Sequence, residues 1–362
     1  MAGTQVDVRP AVRVQTESLR QFGIEAFTQA GLSEEGAAAV TDVQLEANLR
    51  GQPTHNMANV PGYAKRMQGG MINTKCNIHV ASESAVHAQI DGDNGPGQWV
   101  GVVAMRTAIR KAKESGIGIV CALHSNHYGA AGHYAWMAAQ EGVIGMSTTN
   151  GGLVIAPSGG ITPTFGNNPL GVGIPAGKHL PIVLDIAMSV VAQGKIALAI
   201  AEGKEIPLGW MFDKNGKLST NPDDFREGFG VPIAEHKGYG LTLVMEVLAG
   251  VLGGAGFTKD HARDAMRGDS RPPDLGHFFL AINPTMFMPS DVFTGRIDRM
   301  IDDIKASEKA EGTKEILVAG EIEMRNRVAN LQAGSVPILP SSHKQMENYA
   351  EQSNLKTKLS LV

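Results

Sequence analysis

The stretch that most limits how this chain can fold runs from His124 to Pro175, HSNHYGAAGHYAWMAAQEGVIGMSTTNGGLVIAPSGGITPTFGNNPLGVGIP. It holds two close histidines in a glycine-flanked turn, one helical segment at Tyr134–Gln140 and one short apolar run at Val143–Ser147. A long Gly/Pro/Asn loop follows before the next buried-strand text, Gly171–Pro175. Loops this long and glycine-rich are uncommon inside compact domains and usually bind something.

Elsewhere, Thr16 can cap a helix ending before Gly31, and Ser33 a second whose Val40, Val43 and Ala47 share a face. Residues 77–92 alternate like hairpin strands, and Val102, Met105, Ile109 and Ala112 mark a helix stopped by Gly116. Ile117–Leu123 and Ile182–Asp185 read as buried strands, Phe278–Ile282 and Glu315–Val318 as further strands. Helices are expected at Val190–Glu202, Lys237–Val251, Val292–Lys305 and Gly320–Leu331. Strands and helices alternate without an even strand–helix–strand repeat, so a mixed α/β protein is expected rather than a regular doubly wound one.

With 362 residues, 43% hydrophobic and 19% charged, the chain can build two or three globular domains. A net charge of −4, no basic block and 5% aromatics argue against nucleic acid as a partner. Cys76 and Cys121 have no CxxC partner and read as reduced, buried thiols. No secretory h-region and no apolar run of membrane-spanning length is seen, so no membrane association and a cytoplasmic location are expected.

No GxGxxG follows a strand; Gly250–Phe257 follows a helix instead, so a dinucleotide would need a non-Rossmann surface. His124, His127 and His133 include HxxH spacing but lack a Cys or acidic residue to complete a ligand set. No metal is assigned to them; they read as polar or cofactor contacts, or as satisfied structural histidines. GxSxG is absent, which leaves a serine hydrolase weak. His55 lies in a Pro-containing turn beside the Thr54 hydroxyl, a setting suited to general acid/base work, although taken alone such a histidine is more often a plain loop residue. Asp185 ends the apolar run PIVLD and needs a partner, either a functional histidine or a helix cap.

Six ordered segments then resemble one family. These are His124–Gly132, Phe165–Pro175, Leu184–Lys195 (LDIAMSVVAQGK), Pro207–Gly216 (PLGWMFDKNG), Lys237–Leu241 and Ala319–Glu321. The chain, over about residues 16–335, resembles the malate/L-lactate dehydrogenase family that lacks a Rossmann fold, the family of ureidoglycolate dehydrogenase, diketogulonate reductase and sulfolactate dehydrogenase. The resemblance implies an α/β protein with a mixed-sheet, non-Rossmann cofactor domain, a helical N-terminal domain and a smaller composite α/β domain. Expected boundaries are a flexible leader at 1–14, a helical segment at 15–62, the composite domain at 63–122 and 291–340, the nicotinamide domain at 123–290 and a tail at 341–362.

By the same resemblance, the chain is a homodimer that transfers hydride reversibly between NAD, or NADP, and a small-molecule substrate, a 2-hydroxy acid or related secondary alcohol. His55 moves the proton and Asp185 orients it. Thr54, Asn59, Ser125 and His127 lie on the substrate side. Cofactor contacts fall on Leu184, Asp185, Ile186, Ala187, Met188 and Ser189, on His236 and Lys237, and on Gly320, Glu321 and Ile322. Departures fall in the substrate loop: Asn56 replaces a glycine, and Asn59 an arginine that looks like a carboxylate clamp, which an amide cannot reproduce. Arg50 is nearby as another cation. Ala234-Glu235 replace a Gly-Gly pair before His236, and Glu235 adds negative charge that sits more awkwardly with NADP than with NAD. Reduction of a cyclic imino acid C=N bond, or a non-catalytic ligand-binding relative, are the competing readings.

Overall fold

The computed structural model describes residues 11–261 and 273–362. Met1–Gly70 with Ile322–Val362 forms one compact unit and Met71–Glu321 a second, each taken over its described residues.

In the first unit, helices Thr16–Gln29 and Glu34–Leu49 pack together through Leu19, Phe22 and Phe27 on one and Val40 and Val43 on the other, all buried. Ser33 caps the second helix as expected, its hydroxyl accepting the Gly36 N–H at 3.2 Å. Thr16 does not cap the first; it is already its first residue, and Gln15 holds the cap position without a side-chain bond. Two stretches expected as loose ends are ordered. Val12–Gln15, all but its last residue in the expected leader, pairs antiparallel with Ser335–Ile338, Val14 opposite Val336 with both fully buried. The first ten residues of that leader lie outside the described residues. The expected tail forms a helix, Pro340–Gln352, which buries Met346 and Tyr349, the latter edge-on to Phe22 at 6.4 Å.

The second unit is built on a seven-stranded sheet. Its spatial order is His79–Glu83, His87–Asp91, Ile117–Ser125, Leu275–Ile282, Ile144–Thr149, Leu170–Ile174 and Ile182–Ile186. Only His87–Asp91 and Ile117–Ser125 pair in parallel, joined by helix Gly97–Ser115, which Gly116 ends at φ 87°. Every other pairing in the sheet is antiparallel, with Leu275–Ile282 at the centre. This is a mixed sheet, not a doubly wound one. Helix Ala131–Gln140 seats backbone-on-backbone against Leu170–Ile174: a Cβ on Gly171 would stand 2.5 Å from Ala131 O, and one on Gly173 2.1 Å from Ala135 O. Only glycine admits so close an approach.

A satellite core gathers Val154, Ile155, Met188, Ile196, Met211 and Phe225, beside a small sheet of Met211–Phe212, Leu218–Ser219 and Phe229–Gly230. Three expectations change here. The helix expected from Val190 starts at Gln193, because Ala192 before it is extended, at φ −68° and ψ 139°, while the Val190 N–H bonds Val231 O at 2.8 Å. Glu315–Val318 is not a strand. The domain boundary expected at 122/123 falls inside strand Ile117–Ser125, whose ladder with Leu275–Ile282 also binds residues on either side of it into one sheet. Among the described residues no helix is long and apolar enough to cross a membrane.

Candidate active site

The first unit carries the His55 loop. Helix Glu34–Leu49 ends at Arg50, and the chain then turns back under the control of three amide side chains. Asn48 Oδ1 accepts the Met57 N–H at 2.9 Å, Asn56 Nδ2 donates to Gln52 O at 2.9 Å, and Asn59 Nδ2 donates to Thr54 O at 2.9 Å. His55 is half-buried within this closed loop, its Nδ1 2.8 Å from Thr54 Oγ1. A hydroxyl bonded to one ring nitrogen helps to fix the ring plane.

Asn56 has φ −102°, an extended conformation any residue adopts, so the missing family glycine costs no strain here. Asn59 spends a hydrogen on the loop itself. Arg50 is only 2% exposed, with its Nε 3.6 Å from Glu46, so its charge is met inside its own helix turn. It does not stand in for the missing arginine.

In the second unit, the Leu184–Ser189 segment is brought beside both the His236–Lys237 turn and Gly320. Met188 O accepts the Ile233 N–H at 2.9 Å and Ser189 bridges to Pro232, which places Ser189 beside the start of helix His236–Glu246. His236 and Lys237 are exposed in that first turn. Ala234 and Glu235, before it, adopt φ 46° and 55°, the conformation for which the family's Gly-Gly pair is suited. The Ser189 N–H is bonded to Asn167 Oδ1 at 3.0 Å, and Met188 is buried in the satellite core.

Gly320 turns at φ 74° against Val183, where a Cβ would stand 2.1 Å from Val183 O. The adjoining Ala319 O accepts the Val183 N–H at 3.2 Å. Glu321 is committed to structure. Its carboxylate takes Lys305 Nζ at 2.7 and 2.8 Å and the Val318 N–H at 3.1 Å. Leu184, Ile186 and Ala187 are half-buried on the edge strand or just beyond it. Ile322 is half-buried and belongs to the first unit.

Asp185 lies over the first turn of helix Ala131–Gln140: a Cβ added at Gly132 would sit 2.9 Å from its Oδ2. A carboxylate there meets the positive end of the helix dipole. The nearby Tyr128 hydroxyl is pushed up chiefly by burial, Asp185 adding to it. Ser125 is fully buried with Oγ 2.7 Å from His277 Nε2, and His127, two residues on, is only half-buried. His124 faces away from this group, its Nδ1 3.1 Å from Asp91 Oδ2. Burial alone would raise Asp91, but the Asp93 N–H and His124 bring it below the usual carboxylate range.

His277, Thr149 and Lys305 were not among the expected site residues. A histidine inside LGHFFLAI was the available signal, since a polar group in a buried strand needs a partner.

An α/β oxidoreductase that binds its dinucleotide without a Rossmann turn is the class of protein this fold and these segments define. The sequence pattern of the malate/L-lactate dehydrogenase family matches residues 14–347. A malate dehydrogenase of Pyrococcus horikoshii is 38% identical over 335 residues, 90% of this chain and 91% of that one. An L-sulfolactate dehydrogenase of Methanocaldococcus jannaschii is 38% identical over 318 residues, 87% of this chain and 90% of that one. The solved structure of malate dehydrogenase from Pyrococcus horikoshii superposes with a TM-score of 0.87 at 34% identity, covering 96% of this chain and 97% of that one. The chain belongs to the malate/L-lactate dehydrogenase family, and it is an oxidoreductase acting on the CH–OH group of a hydroxy acid.

Proposed function

We propose that this chain interconverts a small 2-hydroxy acid and its 2-keto acid with NAD, using His55 as the proton carrier. The observation that carries the reading is the His55 loop. The imidazole is half-buried, its Nδ1 2.8 Å from the Thr54 hydroxyl, in a loop closed by Asn48, Asn56 and Asn59. A general acid/base must be oriented before the substrate arrives, and three amide bonds to the main chain do that.

Nicotinamide, when bound, accepts or returns the hydride at its C4. The residues present fit such a group. Lys237 is a compact cation for a phosphate at the first turn of its helix, Ser189 is drawn next to that turn, and Gly320 keeps the neighbouring edge free of a side chain. In the oxidative direction His55 takes the hydroxyl proton at Nε2 while Thr54 holds Nδ1; in the reductive direction it gives the proton back. Leu184–Ser189, with Asp185 among them, and His236, Glu321 and Ile322 are the proposed cofactor contacts. His127 reaches the substrate side, and Ser125 supports it from within. Glu235, exposed beside Lys237, opposes a further phosphate and supports NAD over NADP.

Asn59 offers the substrate no charge, so the group it meets is held by an amide rather than by a bidentate cation. A homodimer is proposed as the working state. Its support is the exposed apolar stripe Leu241, Val244, Val247 and Val251 along one helix, a surface a second copy would cover. A cytoplasmic location accompanies it.

The test is NADH fluorescence on mixing, followed by a panel of 2-keto acids and neutral ketones read at the NADH absorbance. Binding and turnover of a keto acid are expected. NADH binding with unchanged turnover in His55→Ala overturns the proton assignment. Asn59→Arg is expected to gain turnover on simple 2-keto acids, and no gain removes the specificity argument.

A further inference from the structure

Of the four residues Ser125–Tyr128, three are buried and committed, and only His127 is half-exposed. Asn126 Nδ2 lies 2.9 to 3.0 Å from Gly95 O and from Asn94 O and Oδ1. The Tyr128 carbonyl accepts the Tyr134 hydroxyl at 2.5 Å. The remaining anchor comes from the centre of the sheet. His277 stands opposite Thr149 on one neighbouring strand, and the register irregularity between Leu275 and His277 lets it reach Ser125 on the other. Its Nδ1 is 2.7 Å from Thr149 Oγ1 and its Nε2 2.7 Å from Ser125 Oγ.

The tautomer of the ring sets the direction of these bonds. The carbonyls of Asn150, at 2.8 Å, and Gly276, at 3.0 Å, are within reach of the single Thr149 proton. A proton given to either leaves Thr149 Oγ1 to accept, with the hydrogen on Nδ1 of His277 and Nε2 receiving the Ser125 O–H. Full burial keeps the ring neutral, its pKa lowered to about 3, so the order persists at neutral pH. The ring also carries Tyr128 on its face, centroids 4.7 Å apart and planes within 8°.

We propose that His277 is a positioning residue. Locked as the Nδ1–H tautomer by Thr149, it holds Ser125 by hydrogen bond and Tyr128 by stacking, and so presents the intervening His127 imidazole in one orientation. The proposal rests on the reading of this turn as part of the dehydrogenase site.

Two readouts test it. In protein with 15N-labelled histidine and no cofactor, the His277 signals, identified by their loss in His277→Gln, are expected to report a neutral Nδ1–H ring at pH 7. An Nε2–H tautomer overturns the proposal. In Ser125→Ala the His127 ring signals are expected to shift, and unchanged signals overturn it. Turnover supplies the second readout. His277→Phe keeps an aromatic ring but neither nitrogen, and is expected to lose about 10²-fold in kcat with NADH affinity unchanged. His277→Gln, whose amide can accept the Ser125 proton, is expected to recover most of that loss. Ser125→Ala with His277→Phe is expected to lose no more than the worse single variant. Losses that multiply, or a folded His277→Phe with unaltered kcat, overturn positioning. If His277→Phe does not fold, Ser125→Ala and His277→Gln decide: unaltered kcat in Ser125→Ala, or equal losses in the two, sinks it. A wild-type protein that reduces no keto acid refutes the functional reading alone, because the tautomer and His127 signals still decide the proposal.

Discussion

Two imidazole–hydroxyl pairs sit in this molecule, and they are built in opposite ways. His55 is partnered by the residue before it in a half-buried loop, whereas His277 reaches hydroxyls 152 and 128 residues away from inside the sheet. The first pair sits in a half-buried loop, open in part to water, so it suits proton transfer. The second uses both nitrogens and loses contact with water, so it suits holding a shape. Residue type alone does not separate the two roles; burial does.

The largest effect that can break this contrast is on turnover. His55→Ala is expected to lose about 10²- to 10⁴-fold in kcat while NADH titration by fluorescence still shows binding. A loss of cofactor binding instead makes His55 a holding residue like His277.

Next comes acid stability, where the sign differs from an exposed histidine. The His277 pKa is depressed when folded, so between its unfolded value near 6.5 and about 3 the unfolded chain binds the extra proton. That contribution is fully present above 6.5 and falls by roughly 1.4 kcal/mol per pH unit below it. Urea midpoints compared at pH 7 and pH 5 should show this slope in the wild type and its absence in His277→Phe. A parallel slope in both proteins breaks the buried side of the comparison.

Thr54→Val then tests the exposed side. Removing one neutral hydrogen bond of about 1 kcal/mol is expected to cost turnover several-fold and to shift the pH–rate profile, without a matching fall in melting temperature. A large stability loss means the loop depends on that bond as the sheet depends on His277.

The smallest effect gives the yardstick. Ala234→Gly and Glu235→Gly relieve positive φ at the start of the Lys237 helix, and each is expected to raise stability by about 1 kcal/mol by calorimetry. No gain means the turn is not strained, and differences of that size elsewhere lose their meaning.

What could be read in the sequence follows the same divide. The Ser33 cap, the Gly116 stop and the Thr54–His55 pair are each made by residues within four positions of one another, and all three were legible. The strand Val12–Gln15 was hidden because its partner lies more than 300 residues away, and without that partner its first three residues read as leader. The helix Pro340–Gln352 was missed for a related reason: its buried residues, Met346 and Tyr349, are few among polar neighbours, and their packing partners lie at the other end of the chain. Motif matching located the 184–189 and 236–237 segments but not the Met188–Ile233 bond that joins them. Glu321 was found as a motif position, while Lys305, which occupies its carboxylate, was not.

The glycines under helix Ala131–Gln140 set the spacing between two layers by the atoms they lack. That helix carries Tyr134 into the ring stack and offers its first turn to Asp185, so both features inherit a tolerance of about one methyl group. A single alanine at Gly173 would act as a shim under the helix, detuning a distant histidine turn and a carboxylate at once without touching either.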